Sequence, residues 1–268
     1  MHPRLSFNSL CHLQTTLEQD LAIWRDLGAT CVGLPVAKLE AAGWQAGIDA
    51  VRRSGFHVST LLQPVMFHLD DRSAWGGQRE VFIRTLDAGR QLGADSVYTI
   101  SGRRGDLGWE EAAQAFVEAV RPVAAHARSI GVPLLIEQTP ALYVEMSFVN
   151  TLRDALRVAE MADIGVCLDI WHCWTEPDLK ANIQRAVPRS TLVQVSDYTV
   201  GDRSLPCRSV PGDGVIPLER IIGWMLEAGY EGAFDSELIG PRIDAEGALP
   251  ALRRSGEYMS ALLGRLGA

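Results

Sequence analysis

Residues 109–138 read WEEAAQAFVEAVRPVAAHARSIGVPLLIEQ, and this stretch contains one unit of the fold. Apolar side chains recur at helical spacing up to Ile130, and Gly131 then ends the pattern, as glycine often does just after a helix. A short apolar run follows over residues 133–138, which is typical of a buried strand. The stretch therefore predicts a helix over residues 109–130 that leads directly into a strand.

The same alternation runs along the whole chain. Strands are predicted over residues 4–9, 30–35, 57–63, 96–101, 133–138, 164–170, 192–195 and 233–238. Helices are predicted over residues 16–27, 39–54, 80–92, 109–130, 149–161, 179–186, 218–228 and 248–266. Eight strand-then-helix units without a Pro/Ser-rich linker favour an α/β protein with a single (β/α)8 TIM-barrel domain over residues 1–268. An open doubly wound sheet is the alternative, but no Gly-x-Gly-x-x-Gly motif follows the first strand.

Composition and charge limit the classes of protein to consider. The chain has 268 residues, 47% of them hydrophobic and 22% charged, which suits one large domain. It lacks a run of about 18 apolar residues and a basic-then-apolar N-terminus, so we expect neither a membrane span nor a signal peptide. The net charge of −8 disfavours nucleic acid as a partner. The five scattered cysteines suit free thiols in the cytoplasm.

Polar side chains stand late in four consecutive predicted strands. These residues are Glu137, Asp169, Gln194 and Glu237. A single carboxylate after an apolar run is often only a helix N-cap, but active sites of TIM barrels lie where the strands end, so four such residues should converge. Three adjacent carboxylates would repel one another unless a cation joined them. Carboxylate and amide oxygens suit Mn²⁺ or Mg²⁺, so the sequence predicts a metal site there.

Two further residues are candidates for contact with substrate. His172 comes three residues after Asp169, a spacing that favours a role at the site, although a packing histidine beside Trp171 is the alternative. Arg208 lies in RSLPCRSVPGDG, residues 203–214, a loop rich in proline and glycine after the seventh strand. Such a loop can lie over the site, with Arg208 as a cation that reaches into it. An ordinary surface loop is the other interpretation.

Three stretches carry a resemblance to a known family. They are LLIEQT (134–139), CLDIWH (167–172) and VPGDGVIPLERIIGWMLEAGYEGAFDSEL (210–238). With them the chain resembles the xylose isomerase-like barrel superfamily, in the branch of sugar isomerases and epimerases that includes ketose 3-epimerases, hydroxypyruvate isomerase and inosose dehydratase.

The resemblance implies roles for the late-strand residues. Glu137, Asp169 and Glu237 match three of the family's four metal ligands, and the two glutamates match its acid/base pair. His172 matches the histidine that contacts the substrate oxygen beside the reacting carbon. Arg208 matches the arginine that holds the substrate.

The fourth metal ligand departs from the family pattern. The family usually has histidine where this chain has Gln194, three residues before Asp197. An amide oxygen is a harder ligand than imidazole, so we expect one divalent ion, Mn²⁺ before Mg²⁺, Co²⁺ or Zn²⁺.

These residues predict a sugar isomerase or epimerase. The reaction would move a proton next to a carbonyl of a sugar or keto-polyol through a metal-bound enediolate, with Glu137 and Glu237 as acid and base. A metal-dependent dehydratase (lyase) and a non-catalytic sugar-binding barrel are alternatives. A DNA-repair endonuclease of this fold would need several more histidines at the site, and only one of the six histidines in the chain belongs to the late-strand set. We expect a small carbohydrate-like molecule as the substrate. Relatives in this family commonly form dimers, so a homodimer and a homotetramer are the oligomeric states to consider.

Overall fold

The computed structural model of the chain describes residues 1–63 and 66–268. Its strands are β1 (Leu5–Asn8), β2 (Cys31–Pro35), β3 (His57–Leu62), β4 (Val97–Ile100), β5 (Leu134–Glu137), β6 (Gly165–Asp169), β7 (Leu192–Val195) and β8 (Ala233–Ser236). All are parallel, and they form a closed barrel in chain order in which β8 pairs with β1. The predicted (β/α)8 TIM barrel is confirmed.

Helices surround the barrel and connect its strands. They are α1 (Leu17–Asp26), α2 (Val36–Ala41), α3 (Trp44–Ser54), α4 (Trp75–Leu92), α5 (Trp109–Ile130), α6 (Leu152–Ala162), α7 (Ile170–Cys173), α8 (Leu179–Ala186), α9 (Leu218–Glu227), α10 (Pro241–Glu246) and α11 (Ala248–Leu266). Short 3₁₀ turns occur between several elements. In the described part of the chain, every helix is too short or too polar to cross a lipid bilayer.

Local packing explains where the observed elements differ from the predicted ones. The elements α5, α8, α11 and β7 begin and end at the predicted residues. The helix predicted over residues 39–54 is two helices, α2 and α3, because Gly43 between them has a φ of +82°, which favours glycine and interrupts helical geometry. Helix α4 begins at Trp75 rather than at residue 80. The Trp75 side chain is buried, so its packing outweighs the low helix propensity of the two glycines that follow it.

The barrel interior leads directly to the predicted site. One side chain from each of four adjacent strands belongs to a separate buried cluster: Tyr98, Leu135, Cys167 and Leu192. Side chains alternate between the two faces of a strand, so residues two positions later point the same way. On β5, β6 and β7 those positions hold Glu137, Asp169 and Gln194. The polar residues therefore continue the inner face of the barrel at its C-terminal end.

Candidate active site

The structure brings all six predicted site residues together at the C-terminal end of the barrel. Five are buried: Glu137, Asp169, Gln194, Arg208 and Glu237. The sixth, His172, has a side chain that is 5% exposed and lies against two of the carboxylates. A single site therefore contains three carboxylates, one amide, one imidazole and one guanidinium.

Asp169 ends β6 and begins the single turn of α7. Its Oδ1 accepts a hydrogen bond from the Trp171 backbone N–H at 2.8 Å, which caps this turn. The turn carries His172 back over the barrel. The Nδ1 of His172 lies 2.6 Å from the Gln138 carbonyl oxygen and 3.2 Å from Oε1 of Glu137. The spacing of three residues between Asp169 and His172 is thus one turn of helix.

Arg208 supplies the positive charge of the site and is 3% exposed. Its Nη2 lies 2.5 Å from Oδ2 of Asp169 and 3.1 Å from Oε1 of Glu237. The same nitrogen is 3.1 Å from Nε2 of His172, and Nη1 donates to the Ser196 hydroxyl at 3.1 Å. The guanidinium therefore contacts two of the carboxylates and partly neutralises their charge. The sequence predicts a metal ion in this role.

Asp197 holds the loop that delivers Arg208. Its carboxylate accepts backbone N–H hydrogen bonds from Gly212 and Gly214 at 3.0 Å each and from Ile216 at 2.9 Å. A Cβ at Gly214 would collide with the Asp197 carboxylate, so the close approach requires glycine. The Pro-Gly loop after β7 is thus fixed by one buried acid, and Asp197 acts as an anchor for main-chain groups.

Gln194 lies inside the barrel with both ends of its amide engaged. The Nε2 group donates to the Tyr98 hydroxyl at 3.1 Å and to a carboxylate oxygen of Glu237. The Oε1 atom accepts from the Cys167 thiol at 3.2 Å. Both the oxygen and the nitrogen of this fully buried amide therefore have hydrogen-bond partners. Its oxygen would face Glu237 only after the amide turned over, so the metal-ligand role of Gln194 stays a prediction.

The three carboxylates differ in their affinity for protons. Burial raises the pKa of Glu237 to about 8, against the opposing charge of Arg208. Burial also raises the pKa of Glu137, although a hydrogen bond to His172 opposes the rise. For Asp169 the effect of burial is outweighed by the Arg208 and His172 charges, which lower its pKa. Near neutral pH the site therefore keeps Asp169 ionised while its two glutamates hold protons more tightly than usual.

Part of the site has the donor set of a metal centre. Glu137, Asp169 and His172 each offer one ligand atom, and these atoms lie within 4.8 Å of one another. Carboxylate oxygens and imidazole nitrogens bind Mn²⁺, Zn²⁺ and similar ions, so these residues fit one divalent cation. Glu237 lies beyond this group, against Arg208 and Gln194. Its predicted ligand role, like that of Gln194, stays a prediction.

A cavity of about 390 Å³ opens above these residues. Glu137, His172, Arg208 and Glu237 line one part of it. The rest of the lining is mostly apolar or aromatic, with the polar side chains of Gln63 and Thr139 among it. Its size lies within the range of roughly 300–1,000 Å³ that is usual for small-molecule pockets. Another depression, of about 450 Å³, lies among the N-terminal ends of β5 and β6 and includes Arg128 and Asp163. Four of the predicted site residues line the first cavity, which is therefore the candidate substrate pocket.

Two residues that lie near the site are not among those predicted from the sequence, Tyr98 and Asp235. Tyr98 is buried on β4 and binds Gln194; it stands two residues before the strand end, so the period of two could have placed it on the inner face. Asp235 lies on β8 two residues before Glu237 and accepts from Asn8 Nδ2 at 2.7 Å. Burial raises its pKa to about 6. A Cβ at Gly33 would lie 2.9 Å from that Asn8 nitrogen, so glycine leaves room for the pair.

Comparisons with known proteins agree with the barrel fold. Residues 21–259 match the family model described as xylose isomerase-like TIM barrel. No curated protein matches the chain. Protein SMc04130 from Sinorhizobium meliloti 1021 is 27% identical, with a TM-score of 0.89 over 97% of this chain and 98% of that one.

Two further solved structures share the fold at lower identity. The IolI protein with a binding zinc atom is 18% identical, with a TM-score of 0.84 over 98% of each chain. L-ribulose 3-epimerase is 17% identical, with a TM-score of 0.79 over 100% of this chain and 96% of that one. At these identities the likeness establishes the barrel and its connectivity.

Proposed function

Because the chain belongs to the xylose isomerase-like TIM barrel family, we propose that it is a sugar isomerase or epimerase. It would move a proton at a carbon next to a carbonyl of a small sugar-like substrate. The proposal rests mainly on one observation. Two buried glutamates, Glu137 at the end of β5 and Glu237 just after β8, line the same cavity. A cytoplasmic location is part of this proposal, because the five cysteines are free thiols.

Glu137 and Glu237 form the acid/base pair of the proposal. One carboxylate removes the proton from carbon, and the other, in its acid form, returns a proton to the same carbon or its neighbour. Their raised pKa values support this exchange near neutral pH, where a carboxyl of ordinary pKa would stay ionised. Asp169 remains ionised and keeps Arg208 and the α7 turn in place.

His172 and Arg208 orient the substrate. The short contact between Nδ1 of His172 and the Gln138 carbonyl fixes the imidazole with Nδ1 as donor. The single lone pair of Nε2 then accepts from Arg208, and a substrate hydroxyl would bind it in place of Arg208. The Arg208 guanidinium lies beside Glu237, where it can hold a substrate oxygen on which negative charge develops.

A divalent cation is the proposed cofactor, Mn²⁺ before Mg²⁺, Co²⁺ or Zn²⁺. Glu137, Asp169 and Glu237 would hold it, with Gln194 after its amide turns over. His172 would join them only by giving up its contact with the Gln138 carbonyl or with Arg208. When bound, such an ion polarises the carbonyl of the substrate. The zinc atom in the IolI protein supports the idea for this barrel.

Dehydration of a keto-polyol is the second candidate reaction. The raised pKa of Glu237 favours it, because a protonated carboxyl at neutral pH can donate to a departing hydroxyl. A non-catalytic sugar-binding barrel is the third candidate. The contact of Gln194 and Arg208 with Glu237 favours it, since both groups engage a carboxylate that catalysis requires free.

Solvent-exchange measurements test the proposal. The protein with Mn²⁺ is incubated with ketopentoses and ketohexoses in D₂O, and NMR follows deuterium uptake at the carbon beside the carbonyl. Uptake and an isomeric sugar are expected, and both should disappear in Glu137→Gln and Glu237→Gln. Glu257→Gln, on the exposed face of α11, is the matched control. Full exchange in both site variants would overturn the acid/base assignment, and an ultraviolet-absorbing enone would identify the lyase.

A further inference from the structure

The cavity above the barrel has an apolar wall opposite its acidic one. Strands β3 and β4 end in Leu62 and Ile100, and both side chains line the cavity. Ile100 pairs in register with Glu137 on β5. The change from apolar to acidic lining therefore occurs between two neighbouring strands.

Loops extend this apolar wall toward the mouth of the barrel. Tyr143 and Met146, from the loop after β5, line the cavity. In the same loop Leu142 is 73% exposed and Val144 is 58% exposed, so the apolar surface continues to the outside. The indole of Trp171 also lines the cavity, and its ring centroid lies 5.3 Å from the Arg208 Cζ. An aromatic ring thus stands where the apolar and charged parts of the lining meet.

A free sugar is a poor match for such a wall. It carries hydroxyl groups around its whole ring, and a hydroxyl buried against leucine or isoleucine loses its bonds to water without replacement. The charged side chains that can bind hydroxyls are confined to the β5–β8 part of the cavity. In the β3–β4 part, Gln63 donates to the Thr85 hydroxyl and the Tyr98 hydroxyl accepts from Gln194. A flat apolar group would bury the opposite wall and the aromatic rings favourably.

We infer that the substrate is a keto sugar that carries an apolar ring substituent, such as an aromatic aglycone. The sugar part lies against Glu137 and Glu237, and the ring part lies against Leu62, Ile100 and Tyr143. The placement of the sugar part rests on the proposed function. The placement of the ring part rests on the lining of the cavity alone.

Calorimetric titration with two matched ligands tests the inference. The probes are methyl and phenyl 3-keto-β-D-glucopyranoside, which differ only in the apolar substituent, added to the protein with Mn²⁺. The phenyl compound should bind at least about tenfold more tightly, which corresponds to about 1.4 kcal/mol. Ile100→Asn should bring the two affinities close together, and Ile100→Ala should do so in part. Val200→Asn, at a 70% exposed position of the loop after β7, should leave the ratio unchanged.

Each outcome separates the inference from the proposed function. Equal binding of the two ligands to the unmodified protein would overturn the apolar subsite and leave the sugar reaction standing. Binding of neither ligand would overturn the inference, and the solvent-exchange result with ketopentoses and ketohexoses would then decide the proposed function separately. A phenyl preference that survived in both folded Ile100 variants would overturn the placement of the ring part at β4.

Discussion

The β5–β8 half of the barrel mouth and the β3–β4 half face one cavity but have opposite chemistry. The first half carries Glu137, Asp169 and Glu237, and the second carries Leu62 and Ile100. The strands of both halves are parallel members of one closed barrel, and in each half side chains at or just after strand ends line the cavity. Single positions at the strand ends of a common scaffold therefore decide whether the lining of the cavity is charged or apolar.

The two halves also differ in what keeps them stable. The polar half depends on charge balance, because a buried carboxylate without a partner is strongly destabilising. Arg208 and His172 provide that balance. The apolar half depends on packing, which tolerates a lost methyl group. Substitutions in the first half that remove a charge partner should therefore act on folding as well as on activity, and those in the second should act mainly on ligand binding.

Removing the proposed acid/base function from the polar half should have the largest effect. Glu237→Gln is expected to lower kcat by a factor of about 10²–10⁴, the usual contribution of a positioned acid or base. Folding should be little affected, since the raised pKa of Glu237 means that the native group resembles a neutral amide near pH 7. Steady-state kinetics and thermal unfolding measure the two effects. A large loss of stability with normal kcat would contradict the assignment.

Removing the cation from the polar half should be the next largest effect. Arg208→Met leaves Asp169 without its guanidinium partner, and we expect a loss of about 3–5 kcal/mol in the free energy of unfolding. Added Mn²⁺ should restore more stability to this variant than to the unmodified protein, because an ion can then neutralise the carboxylates. Urea unfolding with and without Mn²⁺ measures both quantities.

Arg254→Met is the matched control for that variant. Arg254 also pairs with two carboxylates, those of Asp213 and Glu246, but its side chain is 45% exposed. Its loss should cost at most about 1 kcal/mol, because solvent screens surface ion pairs. Equal costs for the two variants would mean that burial does not distinguish the polar half.

Releasing the loop that carries Arg208 should have an intermediate effect. Asp197→Ala leaves the N–H groups of Gly212, Gly214 and Ile216 without their acceptor, so we expect a loss of about 1–3 kcal/mol or more in unfolding free energy. The KM should rise as Arg208 loses its fixed position. Urea unfolding and steady-state kinetics test this, and an unchanged KM would mean that the loop is held by other contacts.

The apolar half should show the smallest effect. Ile100→Val removes one methylene from a half-buried side chain and should cost no more than about 0.5–1.5 kcal/mol. The kcat should be unchanged, since β4 contributes no acid or base to the proposed reaction. A fall in kcat comparable to that of Glu237→Gln would break the division between the two halves.

Much of this architecture is predictable from sequence, because it depends on periodic patterns. Alternating apolar runs and glycine stops predict the barrel, and strand ends predict where Glu137, Asp169 and Glu237 lie. The division of the helix at Gly43 was missed, since a φ of +82° depends on the packing of α2 and α3. The contacts of Gln194 with Tyr98 and Cys167 were also missed, because they join strands whose inner side chains meet only when the barrel closes.

The two oxygens of Asp169 have different partners, and this has a consequence for how variants combine. Oδ1 caps the turn that positions His172, while Oδ2 contacts Arg208. Any substitution of Asp169 disturbs both neighbours at once, so its effect should be non-additive with changes at His172 and at Arg208. A double-mutant cycle through Asp169 would therefore give the coupling free energy of the site, which no single variant reports.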